Sequence, residues 1–577
     1  MSYKEIYTRW LTSDAVDEQT KAELKSIGNN EKEIEERFYR ELEFGTAGMR
    51  GILGAGTNRM NIYNVRRATQ GVAKYVLSMG TDAAKSGVLI GYDTRNFSRV
   101  FAEETAKVLV ANGVNVYLFD TVHSVPEVSF GIRTLKTAAG VMITASHNPK
   151  EYNGYKVYGA DGGQLPPDAA DVVVAAIDSF DIFDDIKVAD WDDVQKSDLF
   201  KVVGEDLNRQ FLDAIQTQQL NPQAIAEVAD TFKLIYTPFH GTGSRPIKAI
   251  LSKIGFKNVL VVKEQDTEDG NFPTVKSPNP EDKEGFEIAI KMAKENDVDI
   301  IIGTDPDCDR VGIVVRDANG NYQTLTGNQT GALLCEYILS SKAKQGKLND
   351  KSVIIKTIVT TELAAAIAKE HGVEIMNVLT GFKYIGEKMT EFAKTGEHEY
   401  VFGFEESYGY LAGTHARDKD GVVATMLIAE MAAYYKTKGK SLYEALIDLY
   451  NKYGYYMERT VSVTMPGKDG MEKMAQILAD CRSKPFENVN GEDVVTITDF
   501  QSQTITNKNG ENGTVSGLPK ANVLKYNLAD GKTYFIVRPS GTEPKIKFYM
   551  GTVGTSIDNA NAVIDNVLAD IKKQLGL

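Results

Sequence analysis

Val88–Phe119 reads VLIGYDTRNFSRVFAEETAKVLVANGVNVYLF: an apolar strand, a polar loop, an amphipathic helix, a glycine at Gly113 and a second apolar strand. The plan recurs twice. One copy runs from Lys233 (KLIYTPFHGTG) through PIKAILSKI to Gly255 and FKNVLVV, the other from Ser352 (SVIIKTIVT) through ELAAAIAKE and His371 to Gly372 and VEIMNVL. Strand-helix-strand units cross over right-handedly, so three diverged copies predict three α/β domains. Chemistry in such folds collects in loops at the C-terminal ends of the strands. Beyond about Tyr450 the texture changes to shorter β-rich segments (RTVSVTM, DVVTITDF, TYFIVRP, KIKFYMG) and a closing amphipathic helix from Ile557 to Leu575. The expected architecture is α/β, with three related domains of mixed sheets over 1–205, 206–322 and 323–450 and a smaller α+β domain over 451–577. The polar, glycine-bearing tract Gln501–Val515 predicts an exposed loop or hairpin.

The chain has 577 residues, too many for one core, and its 42% hydrophobic and 25% charged residues are ordinary globular usage. A net charge of −14 argues against a broad nucleic-acid or anionic-membrane surface, so any phosphate site must be locally basic. Three cysteines, Cys308, Cys335 and Cys481, have no metal-ligand spacing and suit a reducing cytoplasm. No signal-peptide core and no run of about 18 apolar residues occurs, so a soluble, cytoplasmic protein is expected.

Four segments carry candidate chemistry. AAGVMITASHNP, Ala138–Pro149, drives a strand into a loop that presents Ser146, His147 and Asn148. A serine hydroxyl is a weak nucleophile and needs a positioned base and a cation to take part in phosphoryl transfer; taken alone, the segment reads first as a turn serine capping the next element, and only its context points elsewhere. IIGTDPDCDRVGIVV alternates Asp305, Asp307 and Asp309 just after a strand, with Arg310 beside them. Three hard oxygen ligands in a small open site suit Mg²⁺. An EF-hand is excluded, because counting from Asp305 puts Arg310 and Arg316 where the loop requires Gly and Glu. VFGFEESYGYLAG sets Glu405 and Ser407 two residues apart, so in an extended loop both project one way and could grip vicinal sugar hydroxyls; taken alone, the segment reads equally as a solvated acidic turn. Just downstream, HARDKDG offers Lys419 between Asp418 and Asp420. VRPSGTEPKIKF combines Arg538, Ser540, Gly541 and Thr542, a guanidinium fork, two hydroxyls and an approachable backbone, which is a phosphate cradle in composition; taken alone, it reads equally as a Pro/Gly turn between strands.

As a set, TASHNP, GTDPDCDR, GFEES and RPSGTEPK, in this order and one per expected domain, resemble the α-D-phosphohexomutase family, and the likeness extends from GTAGMRG at Gly45 to the last helix. That resemblance implies four domains around a central cleft. It implies Ser146 as the phosphoserine, Asp305, Asp307 and Asp309 as Mg²⁺ ligands completed by the serine phosphate, and Arg310 on that phosphate. Glu405 and Ser407 match sugar-hydroxyl readers, and Arg538, Ser540, Gly541 and Thr542 match the clamp on the substrate's existing phosphate. Thr46 and Arg50 match a substrate-facing loop; His147, Lys156 and Lys419 match positions of proton transfer. The implied reaction interconverts glucose 1-phosphate and glucose 6-phosphate, with glucose 1,6-bisphosphate as intermediate and activator. The partner is a small phosphosugar, with neither nucleic acid nor membrane. Tyr408 and Gly409 follow Ser407 where the bacterial mannose/glucose type has Gly-His, which leaves mannose and pentose phosphates as alternative substrates. A non-catalytic phosphosugar-binding protein and a metal-dependent phosphatase are the competing readings; the complete motif set speaks against both.

Overall fold

The structure is a computed structural model that describes all residues except 46–47, 466 and 540–544, and no side chains at 467–469. The chain divides into two compact units, Met1–Gly327 with Phe382–Ser441, and Asn328–Gly381 with Leu442–Leu577.

In the first unit, a six-stranded sheet takes the order Met49–Ile52, Tyr152–Gly159, Ala139–Ile143, Val88–Tyr92, Val116–Phe119 and Phe200–Val203. Its four last-named strands are parallel and the first two are antiparallel additions. Val88–Tyr92 and Ala139–Ile143 are buried at every position, as strands covered on both faces must be. A second sheet repeats the plan in the order Tyr322–Leu325, Val311–Arg316, Ile300–Thr304, Lys233–Thr237 and Asn258–Val261, parallel through the last three and antiparallel at the other end. Both sheets are mixed because each parallel core acquires a hairpin-like return from its own motif loop: Ala139–Ile143 runs into the Ser146 loop and back through Tyr152–Gly159, and Ile300–Thr304 runs into the aspartate loop and back through Val311–Arg316. The motifs therefore sit at strand C-termini and at sharp reversals. The same unit holds the antiparallel pair Glu399–Glu405 and Gly409–Ala412, followed by the helix Gly421–Lys436, buried almost throughout.

In the second unit, Ser352–Thr357 pairs in parallel with Glu374–Val378 across the helix Leu363–Glu370, which is the third copy of the repeat. Its other sheet is antiparallel in the order Tyr455–Thr464, Lys545–Gly554, Tyr534–Pro539, Leu524–Leu528, Glu492–Asp499, Thr504–Asn507 and Asn512–Thr514. The polar tract forms the outer hairpin of that sheet, turning through Gly510 at φ 79°. The closing helix spans Ile557–Leu575, begins with the Ser556 hydroxyl accepting from Asn559 N–H and ends at Gly576, a left-handed C-terminal stop. No helix of the described residues is long and apolar enough to cross a membrane.

Candidate active site

Three loops of the first unit converge, and each turns through a non-glycine residue in the left-handed region: Ser146 at φ 51°, Cys308 at 54° and Tyr408 at 67°. Such a conformation is uncommon outside glycine and persists only where surrounding contacts hold it. The contacts here are specific. Ser146 Oγ donates to Asp305 Oδ2 at 2.7 Å and lies 3.1 Å from His147 Nδ1, while its backbone N–H donates to Thr144 Oγ1 at 2.8 Å. Thr144 Oγ1 in turn donates to Asp307 Oδ2 at 3.1 Å, tying the serine loop to the aspartate loop.

Asp305, Asp307 and Asp309 are all buried, and each offers a carboxylate oxygen within 4.8 Å of the others. Asp305 Oδ1 accepts from the backbone N–H groups of Asp309 and Arg310 at 3.1 and 2.9 Å, so the turn folds around that carboxylate. Burial and the neighbouring Asp307 and Asp309 push the Asp305 carboxyl well above its ordinary range. For Asp309, burial is outweighed by Lys419, Lys156 and Arg310, and its carboxyl titrates below the usual carboxylate range. Asp307 Oδ1 and Asp309 Oδ1 are buried without a hydrogen-bond partner among the described residues. Buried, under-satisfied carboxylate oxygens that crowd one point fit a hard divalent cation, which would both satisfy them and neutralise their mutual repulsion.

Two lysines stand against these acids. Lys156 Nζ is 2.9 Å from Asp307 Oδ2 and 3.5 Å from Asp309 Oδ2; Lys419 Nζ is 3.2 Å from Asp309 Oδ2 and 3.0 Å from Asp418 Oδ1. Burial opposes the charge on each, and the adjacent carboxylates more than compensate, raising both above the ordinary lysine value. His147 moves the other way: burial first, then Arg310, Arg50, Arg95 and Lys156, hold it neutral. Arg310 reaches Glu281 at 2.9 Å, and Arg50 donates to Asn148 Oδ1 at 3.0 Å.

Glu405 is buried at the end of its strand, and burial, opposed by Lys419, pushes its carboxyl up to about 7. The expectation that Ser407 projects with Glu405 along an extended loop is corrected. Glu405 pairs with Gly409 across a tight reversal, so strand alternation ends at Glu405 and Ser407 occupies the turn. Gly409 is required there because a Cβ would sit 2.2 Å from the Lys419 stem. Arg538 lies in the second unit, on Tyr534–Pro539, where its guanidinium donates to Tyr549 Oη at 3.2 Å. Thr46, Ser540, Gly541 and Thr542 fall outside the described residues.

The motif reading missed the residues that hold the others. Asp418 accepts from Tyr158, Gln164 and Lys419 and fixes the lysine, whereas Asp420 leaves that cluster to cap the helix Gly421–Lys436 and meet His415 at 2.6 Å. Thr144, two residues before the serine, was legible as a hydroxyl at a strand end.

The chain as a whole is similar to known proteins. Models of α/β/α domains I, II and III of phosphoglucomutase/phosphomannomutase match residues 41–181, 209–320 and 326–453. A phosphoglucomutase of Staphylococcus epidermidis is 38% identical over 563 residues, 97% of this chain and 98% of its own length; one of Staphylococcus haemolyticus is 35% identical over 534 residues, 92% and 94%. Among solved structures, a Paramecium phosphoglucomutase matches with TM-score 0.68 at 17% identity, over 93% of this chain and 96% of its own, and a Burkholderia thailandensis protein of the same family with TM-score 0.64 at 18% identity, over 91% and 96%. The latter two establish shared fold. The chain belongs to the phosphoglucomutase/phosphomannomutase family, whose α/β/α domains I, II and III agree with the three α/β copies.

Proposed function

We propose that the protein is a phosphosugar mutase that interconverts glucose 1-phosphate and glucose 6-phosphate through a phosphate carried on Ser146. The observation that carries the reading is the placement of Ser146 Oγ 2.7 Å from one of three clustered, buried aspartates, on a chain whose near full-length relatives are named phosphoglucomutase. Asp305, Asp307 and Asp309 would hold Mg²⁺, which when bound neutralises charge on the transferring phosphoryl group.

The chain's own residues do the rest. Phosphorylated Ser146 gives its phosphoryl group to a free sugar hydroxyl: the Oγ–P bond breaks, the new P–O bond forms, and the hydroxyl proton passes by way of His147 to the departing Ser146 Oγ. In the return step the other phosphate of glucose 1,6-bisphosphate passes to Ser146: its bond to the sugar oxygen breaks as the Oγ–P bond forms, and the serine proton must be accepted and delivered to that sugar oxygen. His147, kept neutral and 3.1 Å from Oγ, is suited to that task. Lys156 and Lys419, kept charged by the aspartates, are suited to donate hydrogen bonds and to stabilise negative charge. Arg310 neutralises the serine phosphate, Glu405 and Ser407 read sugar hydroxyls, and Arg538 with Ser540, Gly541 and Thr542 binds the phosphate that is not reacting. Thr46 and Arg50 serve the substrate-facing loop. Free bisphosphate re-primes Ser146 whenever the intermediate escapes. Side-by-side kcat/KM values for glucose 1-phosphate, mannose 1-phosphate and ribose 1-phosphate test the assignment; a preference for mannose or ribose phosphate overturns the sugar, and no mutase turnover with any of them overturns the reaction.

A further inference from the structure

Beneath the Ser146 loop lies a charged residue that none of the roles above uses. Arg95 follows the first parallel strand, in the GYDTRN segment, and is almost wholly buried. Its NH2 donates to the backbone carbonyls of Ser146 and Asn148, each at 2.5 Å, and its NH1 to those of Pro149 and Tyr152 at 2.9 and 3.1 Å. One guanidinium thus gathers four carbonyls of a seven-residue reversal, including that of the serine itself. The planar fork suits this, since five N–H donors in fixed directions can serve carbonyls that a lysine ammonium, a single point with three donors, cannot reach together.

The arginine is itself held. Asp93 Oδ2 lies 3.4 Å from Arg95 Nε, and the other oxygen of Asp93 accepts from Arg95 N–H and from the Ser98 hydroxyl. A segment of the second α/β copy closes over the arrangement from the far side. Phe272, buried and at φ 47°, stacks on the guanidinium at 5.0 Å, and Ser277 Oγ donates to the His147 carbonyl at 2.7 Å. Gly270 packs so tightly on Asn96 that a Cβ would lie 2.4 Å from its backbone nitrogen. The serine loop is therefore gripped at its carbonyls from two domains while the Ser146 hydroxyl faces Asp305.

We propose that Arg95 is a positioning residue for phosphoryl transfer, fixing the left-handed backbone of Ser146 through four carbonyl contacts, and that the segment Gly270–Ser277 braces it. The inference rests on the reading of Ser146 as the phosphoryl carrier. Its consequence is kinetic: the reacting oxygen loses its placement, while Glu405 and Arg538, outside the loop, are not among the carbonyl partners of the arginine.

The test uses the full chain with Arg95→Lys and Ser277→Ala, measuring kcat, KM, thermal midpoint, and the rate of Ser146 phosphorylation by glucose 1,6-bisphosphate. Misplacement of the reacting atom by about 1 Å predicts a kcat about a hundredfold lower in Arg95→Lys, and a smaller displacement one about fivefold lower in Ser277→Ala, with KM within about twofold of wild type. Ser277 is only part-buried, and its variant keeps the question open to refutation should Arg95→Lys fail to fold: its phosphorylation rate should fall with kcat while its thermal midpoint stays within about 1 °C. Wild-type kcat in Ser277→Ala, or activity loss matched by an equal loss of folded protein in both variants, overturns the proposal. Absence of phosphate on wild-type Ser146 by intact mass would overturn the carrier reading, and this inference with it; phosphate present together with unimpaired variants would overturn this inference alone.

Discussion

Each unit buries a cluster of lysines and carboxylates, and the two clusters behave in opposite ways. In the first unit Lys156 and Lys419 face Asp307, Asp309 and Asp418, and both lysines are raised because nearby negative charge outweighs their desolvation. In the second, Lys356 is fully buried against Glu362 at 3.2 Å and the carbonyls of Thr357 and Thr360, and Lys525 reaches the same Glu362 at 3.9 Å. Burial lowers both of those lysines, because two cations share one carboxylate. Nearby, Glu458 accepts from Thr361 at 2.5 Å, and burial pushes its carboxyl up to about 7. The lesson is that burial alone does not set the sign of a shift; the local count of opposite charges does. The first cluster has acids in excess and two unsatisfied carboxylate oxygens, which is an arrangement waiting for a cation, whereas the second has its buried Lys356 ammonium satisfied by backbone carbonyls and Glu362 and reads as structural.

The largest effect that could break this contrast is on the carrier. Ser146→Ala should lower turnover by at least about a thousandfold, because a cation site without a nucleophile cannot hold the phosphoryl group between sugars. Intact mass after incubation with glucose 1,6-bisphosphate should show one phosphate on the wild type and none on the variant. Turnover like wild type in the alanine variant would detach the first cluster from catalysis.

Next is the cation itself. Asp307→Asn should cost about two or more orders of magnitude in kcat/KM and weaken Mg²⁺ binding in a calorimetric titration, with the fold retained by circular dichroism. EDTA should inactivate the wild type and Mg²⁺ restore it. Full activity in metal-free buffer would show that the lysines alone satisfy the acids.

A smaller effect separates the units. Arg538→Ala should lose about 1.5–3 kcal/mol of phosphosugar binding, roughly ten- to hundredfold in affinity, by removing a charge-assisted contact. Phosphorylation of Ser146 by acetyl phosphate should survive. Loss of serine phosphorylation as complete as in Asp307→Asn would merge the two roles.

The smallest effect sharpens the second cluster by pH. In the unfolded chain a glutamate releases its proton near its ordinary value, while folded Glu458 keeps it to about 7. Between those values the folded state binds the extra proton, so its stability falls as pH rises through the window, and the cost is complete above it. Lys356, Glu362 and Thr361 face the carboxyl, and Glu458 is only half-buried, so the cost is about 1–2 kcal/mol. Glu458→Gln should therefore raise the thermal midpoint at pH 8 by a few degrees and leave it nearly unchanged at pH 5. Equal shifts at both values would mean that the carboxyl titrates normally.

Much of this molecule was legible without coordinates. Three strand-helix-glycine-strand copies declare themselves in local periodicity, since burial on one helix stripe or on both faces of a strand leaves its pattern in consecutive residues. TASHNP and GTDPDCDR were legible because each is contiguous and ends a strand. The hairpin at Gln501–Val515 and the closing helix likewise depend on near neighbours alone. What consecutive residues cannot express is which loops meet. That Ser146 touches Asp305, that Thr144 bridges to Asp307, and that Lys156 and Lys419 divide the acids between them are contacts across more than a hundred positions, fixed only when separate sheets pack. The Glu405–Ser407 turn was misjudged for the same reason: a two-residue spacing looks alike in a strand and in a reversal, and the left-handed Tyr408 is held in that reversal by the packed surroundings. Arg95 shows the limit most plainly, because an arginine after a strand reads as surface until tertiary structure closes a loop, an aspartate and an aromatic ring around it.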